Sequence, residues 1–589
     1  MRKLLKILWR GSVNVVPATN ETKNARDAEA LLQQGMAQRE RAQFSLAMRN
    51  LERAIALKFD LGAAHHVLGC VHRDQGKLDD AIDSLELAAH FCPEKVEVHL
   101  DLGEALSSVG RYDAAEKAIR RAIGLAPNHA ASWMCLGNLC KTRGALEQAG
   151  DHYRTAIRSD PALAAAHLQH AFLLFKVGHY DESRVVHINA LKAFPDMAEL
   201  HHNFGLVLLE TGFPDEALAS FERALVLRPD LIATRTCIAH ALRDLGRLEE
   251  ALAVYESVLA ERPQFGDAIA NRSYTLLMCE NYGAGWKQYE QRFTATDTPQ
   301  RRFPYATWQG ESLHGKRILV FAEQGLGDEI MFASCLPDLM ARCDNVVLEC
   351  DARLARLFSR AFPRAVVHGG RKADDPAWLA RVGEIDCQIA IGSLPLHFRG
   401  CRDRFPARQG FLVADQDRVQ AWRKWLSEKD GKLRIGIAWR GGSLHTRANL
   451  RSIELQRWLP VLRLPDIDYV SLQHGNTSAE VEHLQSTHGI AIREASNKIK
   501  NVDELAALIS ALDLVISVDN TVAHLGGALG RPVWVLLAHA SEWRYLRHGE
   551  SMPWYASLRL YRQPSPRVWD AMLDQVRRGL LEERQKHSV

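Results

Sequence analysis

The chain has 589 residues, 47% hydrophobic and 25% charged, with a formal net charge of +3. That length allows three or more domains, and the composition is ordinary for a soluble globular protein. The charge is too small to argue for nucleic acid as a partner. The cysteines are scattered without a CxxC pair, and Cys135, Cys237 and Cys335 sit inside apolar helical segments. That usage points to reduced thiols and a cytoplasmic setting.

The chain opens with MRKLLKILWR, in which apolar clusters alternate with Arg2, Lys3, Lys6 and Arg10. Met1 to Arg10 has the character of a peripheral membrane contact, but residues 1–25 are expected to form a disordered basic tail. Lys6 interrupts the apolar core too early for a signal peptide, and no run elsewhere approaches the roughly 20 apolar residues of a membrane span.

Pro93, Pro127, Pro161, Pro195, Pro229 and Pro263 then fall 34 residues apart. A period of that length marks stacked helix pairs. The position 24 residues before the proline holds Gly69, Gly103, Gly137 and Gly205, and the position 12 before holds Ala81, Ala115, Ala149, Ala217 and Ala251. Small residues are needed where helices cross closely. Eight before the proline stands a bulky Leu85, Ile119, Tyr153, Phe221 or Tyr255, and five before stands Ala88, Ala122, Ala156, Ala190 or Ala224. The proline stops the second helix of each pair. Phe59 replaces the first proline, a degenerate fifth copy lies around Ser183 and His187, and an eighth copy fades over 266–292.

This pattern resembles the tetratricopeptide repeat over residues 26–292. The resemblance implies a superhelix whose concave face, lined by the first helix of each pair, receives a polypeptide. His65, His66, Asn138, His167, His170, His202 and Asn203 on those helices suit hydrogen bonding to a peptide backbone, and none of the histidines is assigned a metal. The array alone is also compatible with a spacer or a dimerisation platform.

Residues 293–315 read as a linker, with Trp308 as an anchor onto a neighbouring domain. The unbroken apolar run 317–322 predicts a buried parallel strand, and EQGLGDE from 323 to 329 leads into a helix from Asp328 to Arg342. A third glycine of a dinucleotide fingerprint is absent, because Ile330 stands there. Strands are expected at 345–350, 365–369 and 387–391, a helix at 418–429, and a second set of strands at 434–439, 469–473, 514–518 and 533–537. The helix Val522 to Leu529 precedes the last of these, stopped by Gly530 and Pro532. Two successive α/β halves imply two doubly wound sheets facing one cleft.

Arg440 and Arg451 flank a glycine-rich turn after one strand, while Asn520 and Thr521 begin a helix after another. Cations and a helix N-terminus converging in this way suit an anion such as a nucleoside diphosphate. Asp328 at the end of the first strand is placed to accept a proton from a hydroxyl, or to cap its helix.

The order of EQGLGDEIMFASCLPDL (323–339), IAWRGG (437–442), Arg451-Ser452-Ile453, SLQHG (471–475) and SVDNTVAHLGGALGRPVW (517–534) resembles the family 9, heptosyltransferase-like group of GT-B glycosyltransferases over about residues 316–565. The resemblance implies an α plus α/β architecture in which the repeats precede two Rossmann-like halves, 316–416 on the acceptor side and 417–589 on the donor side with a closing helix. It makes Asp328 the base that activates the acceptor. It gives donor binding to Arg451, Asp519, Thr521 and His524, and Gln324, Gly325, Gly327, Arg440, Gly441, Gln473 and Asn520 are expected to complete the donor site. Asn520 stands where Thr or Ser is usual in that group, and Glu329 where an apolar β-branched residue is usual.

The reaction so implied is inverting, metal-independent transfer of a hexosyl or heptosyl group, without a cofactor, from a nucleotide sugar to a protein or surface-glycan acceptor held by the repeats. The combination of repeats with a GT-B domain is similar to protein O-GlcNAc transferases in architecture. The alternative is a non-enzymatic interaction scaffold whose transferase domain is decayed or senses a nucleotide sugar. Nucleotide-sugar epimerisation or hydrolysis would leave the repeats unexplained.

Overall fold

The computed structural model describes residues 18–295, 303–370, 376–426, 432–442 and 446–587. Met1 to Arg10 lies outside them. The chain divides into two compact units, residues 1–196 and 197–589.

The first unit consists of five helix pairs. They are α1 (Ala18–Glu40) with α2 (Phe44–Leu57), α3 (Gly62–Asp74) with α4 (Leu78–Phe91), α5 (Val96–Ser108) with α6 (Tyr112–Leu125), α7 (Ala130–Thr142) with α8 (Leu146–Ser159), and α9 (Ala164–Lys176) with α10 (Tyr180–Ala193). Within a pair the helices cross where the sequence supplies a glycine. A Cβ on Gly103 would stand 2.5 Å from Ile119, and one on Gly137 would stand 2.6 Å from Tyr153. The bulky residue of the second helix thus fills the space left empty on the first.

The turn inside each pair needs a left-handed residue, supplied by Gly76, Gly110, Gly144 and Gly178 at φ between 75° and 81°. Ala42 in the first pair makes the same turn at φ 55° without glycine.

Four side chains on first helices close the turns between pairs. His65 Nε2 lies 2.9 Å from the Phe59 carbonyl, His99 Nε2 2.8 Å from that of Pro93 and His167 Nε2 3.1 Å from that of Pro161, and Trp133 Nε1 donates to Pro127 at 2.8 Å. One ring nitrogen of His65 and one of His167 are therefore committed to the fold. The degenerate fifth pair keeps its packing through a hydroxyl: Ser183 Oγ donates to the Ala171 carbonyl at 2.8 Å. His187, buried where other pairs carry an aliphatic or aromatic group, is pushed down to about 4 by burial.

The second unit begins with three more pairs, α11 (Ala198–Glu210) with α12 (Pro214–Leu227), α13 (Ile232–Asp244) with α14 (Leu248–Glu261) and α15 (Gly266–Met278) with α16 (Tyr282–Tyr289). Two parallel sheets follow. The first contains β1 (Ala306–Thr307), β2 (Arg317–Phe321), β3 (Asn345–Asp351), β4 (Val366–Gly370) and β5 (Cys387–Ala390) in the order β1-β5-β2-β3-β4. The second contains β6 (Leu433–Ala438), β7 (Ile467–Ser471), β8 (Arg493–Glu494), β9 (Leu514–Val518), β10 (Val533–Leu537) and β11 (Leu558–Arg562) in the order β11-β10-β9-β6-β7-β8. The chain reverses its direction of travel at β2 and at β6, and crevices form at the carboxyl ends of such strands.

Several expectations are corrected here. The segment read as a linker supplies β1, which pairs with β5 through Ala306 and Cys387. Trp308 is buried against His397 and Phe398 of the first sheet's own layer. The helix expected over 328–342 is α17 (Leu326–Phe332), followed by a 3-10 turn and a short helix that Pro337 begins. Proline has no N–H to continue the ladder, so the helix restarts there. Charged, short β8 and β11, which follows a turn-rich stretch, gave no strand signal.

The last repeats are built into the α/β core. Tyr282, Trp286 and Tyr289 of α16 share one buried cluster with Ile330, Phe332, Trp543 and Trp554, and Trp286 Nε1 donates to the Arg399 carbonyl at 3.0 Å. Arg447, left-handed at φ 56°, reaches the ends of two repeat helices, donating to the Leu209 carbonyl at 2.7 Å and to Asp244 at 2.8 Å. All eleven cysteines are free, and among the described residues no helix is long and apolar enough to cross a membrane.

Candidate functional site

The loop after β2 and the helix after β9, α21 (Thr521–Ala528), meet at the junction of the two sheets. A Cβ added to Gly327 would stand 3.3 Å from the His524 ring and 3.8 Å from Thr521 Oγ1. Gly325 is the N-cap of α17, its absent Cβ 3.3 Å from Asp328 Oδ2. Gly441 lies against the backbone after β9, where a Cβ would approach the Asp519 carbonyl to 2.5 Å. Three glycines therefore permit the approach that brings Asp328, Asp519 and His524 together.

Each carboxylate in this group is partnered. Asp328 accepts a hydrogen bond from Arg544, whose guanidinium also lies 3.6 Å from Glu542 and 4.8 Å from the Trp543 ring centroid. Asp519 accepts from Arg451 at 2.9 Å on one oxygen and from the Tyr545 hydroxyl at 2.8 Å on the other. Tyr545 stands 3.5 Å from His524 Nε2, and Tyr555 stands 3.3 Å from His524 Nδ1. Asp519, His524, Tyr545 and Tyr555 are all buried.

The electrostatics follow from this burial. Desolvation acts to raise Asp519, but Arg451, His524 and Tyr545 outweigh it and hold the carboxyl below its ordinary range. Desolvation pushes His524 down to about 4, partly opposed by Asp519. Burial drives both Tyr545 and Tyr555 well above the usual tyrosine value. Burial works against the charge on Arg544, yet Asp328, Glu542 and Asp519 outweigh it and its pKa rises. At neutral pH the group thus holds a carboxylate at Asp519, a guanidinium at Arg544 and a neutral imidazole at His524.

Other expected residues have partners of their own within the chain. Arg440 does not converge with Arg451: its guanidinium pairs with Glu480 at 3.1 Å on α19 (Ser478–His488) and lines a separate cavity of about 590 Å³ beside Trp439 and His483. Gln473 Oε1 accepts the N–H groups of Trp439 at 3.0 Å and Arg440 at 2.8 Å, which closes the turn after β6. Asn520 caps α21, accepting from the Val522 N–H at 2.9 Å while donating to the Arg440 carbonyl at 3.2 Å. Gln324 donates to the Tyr289 hydroxyl of α16. Glu329 points to β3, where it accepts the Asp351 N–H at 2.8 Å, so its charge serves a strand end and not the surroundings of Asp328.

Arg544, Tyr545 and Tyr555 were missed in the sequence. The run Glu-Trp-Arg-Tyr at 542–545, a cation between aromatics in a loop after a strand, is the signal that marks them. Trp543 in that run stacks on Tyr274 of α15, with ring centroids 6.2 Å apart and planes 5° from parallel. In the first unit, His66, Cys70 and Asp101 bring their ligand atoms within 4.8 Å of one another. Arg73, 2.6 Å from Asp101, already supplies positive charge there.

Comparison with known proteins bears on the repeats. Residues 100–164 and 168–232 match one tetratricopeptide-repeat family model, and residues 238–269 match another. The helix pairs are tetratricopeptide repeats. Protein FlbA of Caulobacter vibrioides is 32% identical over 323 residues, 52% of this chain and 54% of that protein. The chain therefore spans about half the length of the curated relative it matches. A tetratricopeptide repeat protein from Parabacteroides merdae is 18% identical over 40% of this chain and 93% of its own, with a TM-score of 0.34. Pseudomonas aeruginosa pilF is 18% identical over 35% of this chain and 95% of its own, with a TM-score of 0.32. The tetratricopeptide repeats give the chain a protein-interaction module, and the parallel sheets give it an α/β region.

Proposed function

We propose that the α/β region is an inverting, metal-independent glycosyltransferase of GT-B type, taking a nucleotide sugar as donor and a polypeptide or glycan presented by the repeats as acceptor. The observation that carries this reading is the meeting of Asp328, in the first turn of α17 after β2, with Arg544, Arg451 and the start of α21 from the second sheet's side. A carboxylate from one sheet and cations from the other suit a reaction in which an acceptor hydroxyl loses a proton as a diphosphate gains charge. In this reading Asp328 takes the proton. Arg544, Arg451 and the backbone N–H groups that begin α21 stabilise the departing diphosphate. Asp519 and Tyr545 hold Arg451 in place, and the Asp328 to Arg544 pair opens when donor phosphate takes the guanidinium.

The second reading, a non-enzymatic interaction scaffold, draws on the same network. Asp328, Asp519 and Arg440 each have a charged partner within the chain, a self-contained arrangement that serves stability without a ligand.

Calorimetric titration with UDP, GDP, ADP and dTDP and their sugars separates the two. The whole chain is required, because Trp286 and Tyr289 of the repeats belong to the α/β core. Micromolar binding to one nucleotide, lost in Arg451→Ala, supports the transferase. Absence of binding across the panel by folded protein supports the scaffold. With a donor in hand, Asp328→Asn should lower turnover by roughly 10²- to 10⁴-fold while donor binding persists; unchanged turnover removes Asp328 as the base.

A further inference from the structure

Arg451, which donates to Asp519 at 2.9 Å, belongs to a single turn of helix, Ala448–Arg451, in the stretch between β6 and β7. An isolated turn is not stable by itself, because it fixes several residues for very few hydrogen bonds. This one is closed by the N–H groups of Leu450 and Arg451, which donate to the Arg447 carbonyl at 3.0 and 3.3 Å. Whatever fixes Arg447 therefore fixes the point from which the Arg451 side chain leaves the backbone.

Arg447 is fixed by the repeats. Its guanidinium reaches the carboxyl ends of both α11 and α13, donating to the Leu209 carbonyl at 2.7 Å and to Asp244 at 2.8 Å, and it lies 3.5 Å from Glu210. Helix carboxyl ends carry partial negative charge and favour a cation. Burial acts to raise Asp244, but Arg447, with His240 and Arg243, outweighs it and pushes the carboxyl down to about 2, so the pair is charged at neutral pH. Two more residues of the same turn face the repeats. Asn449 donates to the Glu210 carbonyl, and a Cβ on Gly212, just past α11, would stand 3.2 Å from Leu450 Cδ2. The backbone of Arg447 is left-handed at φ 56°. A residue with a side chain keeps that conformation only where its surroundings over-determine it.

The other side of the turn is tied to the second sheet. Ser452 Oγ donates to the Ala448 carbonyl at 2.6 Å and accepts the Gly441 N–H at 3.2 Å, and the Ile453 N–H donates to the Trp439 carbonyl at 2.9 Å. Residues 447, 449 and 450 thus hold the repeats, while residues 451–453 hold the loops after β6 and β9. One turn of helix carries the place of the repeat ends to Arg451.

We infer that Arg447 is a positioning residue, which sets where the Arg451 guanidinium stands and makes the ends of α11 and α13 part of the anion site. The inference rests on the reading of Arg451 as a contact to donor diphosphate. It gives the repeats a task inside the donor site, in addition to presenting an acceptor.

The test uses the full chain and two measurements. In calorimetric titration with UDP, GDP, ADP and dTDP, the nucleotide that binds the parent chain should bind Arg447→Met at least about tenfold more weakly. Arg447→Lys, which keeps a charge opposite Asp244 but gives up a second donor, should lose about threefold, and it carries the test if Arg447→Met does not fold. Val258→Ala, a buried position on α14 that does not touch the turn, lowers stability and should leave the affinity of the folded protein unchanged. In hydrogen exchange, amides 448–453 should exchange at least about tenfold faster in Arg447→Met, with those of β7 unchanged. Parent-like affinity in both Arg447 variants, or a loss in Val258→Ala as large as in Arg447→Met, overturns the inference. So does unchanged exchange at 448–453, whether or not a nucleotide binds. Faster exchange there in a chain that binds no nucleotide supports the anchoring of Arg451 by Arg447, and the failure then belongs to the donor reading alone.

Discussion

The first unit and the sheet junction of the second solve the problem of close approach with the same residue and opposite contents. In the repeats, Gly103 and Gly137 let one helix receive Ile119 or Tyr153 from its partner, and the contact is apolar and recurs every 34 residues. At the junction, Gly327 and Gly441 let two loops meet over Asp328, Asp519, His524, Arg451 and Arg544. An apolar contact repeated along the chain is stable pair by pair, because each copy needs only its neighbours. The charge cluster has no periodic copy in the sequence, is partly buried, and draws its members from residues 328, 451, 519 and 544. Charges withdrawn from water cost free energy unless each is paired, so the junction is stable only when all of its elements are in place.

This contrast is broken most severely at Trp286, which belongs to a repeat helix but is buried in the α/β core. Trp286→Ala should cost about 4 kcal/mol, the range for a large aromatic removed from a packed core. The loss should appear as a lowered unfolding midpoint of the α/β region, while the helical signal of the first unit persists to its original midpoint. A single shared transition that shifts as a whole would show that the two units unfold together. Next in size is Arg544→Met, which leaves Asp328 without its partner and should destabilise by about 3 kcal/mol. Adding Asp328→Leu to Arg544→Met should restore most of that stability in urea denaturation. If the double substitution is as damaging as the sum of the singles, the pair is not the source of the cost.

What could be read from the sequence follows the same division. The eight pairs, with their crossing glycines and packed alanines, were legible because a 34-residue period repeats each contact in the text of the chain. Strands β9 and β10 were placed to the residue, since a buried parallel strand is a short apolar run bounded by turn residues. The partners of Asp328 and Asp519 were not legible. Arg544 lies 216 residues from Asp328, and nothing local to either position encodes the pairing. The direction of Arg440 was not legible for a related reason: its position after a strand was evident, but its partner Glu480 comes from a helix one strand further on. Position along the chain thus gave the loop, and only the fold gave the direction of the side chain.

The fifth pair allows a milder test within the repeats. His187 is pushed down to about 4 against an ordinary value of 6.5, so it stays neutral in the fold while the unfolded chain takes up a proton below pH 6.5. Stability contributed by the neutral ring is therefore complete above that pH and is lost as pH falls from 6.5 towards 4. At pH 5 the loss should be about 2 kcal/mol by linkage. His187→Leu, which installs the aliphatic group found at Leu85, should abolish that loss and leave a flatter profile of melting temperature against pH between 7 and 5. An unchanged acid slope would assign it to other buried histidines, of which His524 is the first candidate.

The smallest effect concerns Asn520, which bears on whether the start of α21 is held for structure or for a ligand. Its carbonyl oxygen accepts the Val522 N–H at 2.9 Å and the Ser517 hydroxyl at 2.9 Å, and its amide donates to the Arg440 carbonyl at 3.2 Å. Asn520→Ala removes all three and should cost about 1 kcal/mol, the usual value of a lost cap. Asn520→Ser retains a cap oxygen but not the amide that ties the two loops, so it should cost only a few tenths of a kcal/mol. The order Ala worse than Ser, read as a shift in the urea midpoint, is what a capping role predicts. Equal losses for Ala and Ser would transfer the weight to the amide's bond to Arg440. In that case Asn520 matters as the tie between the loops after β6 and β9, and the alignment of Arg451 with Asp519 would depend on it.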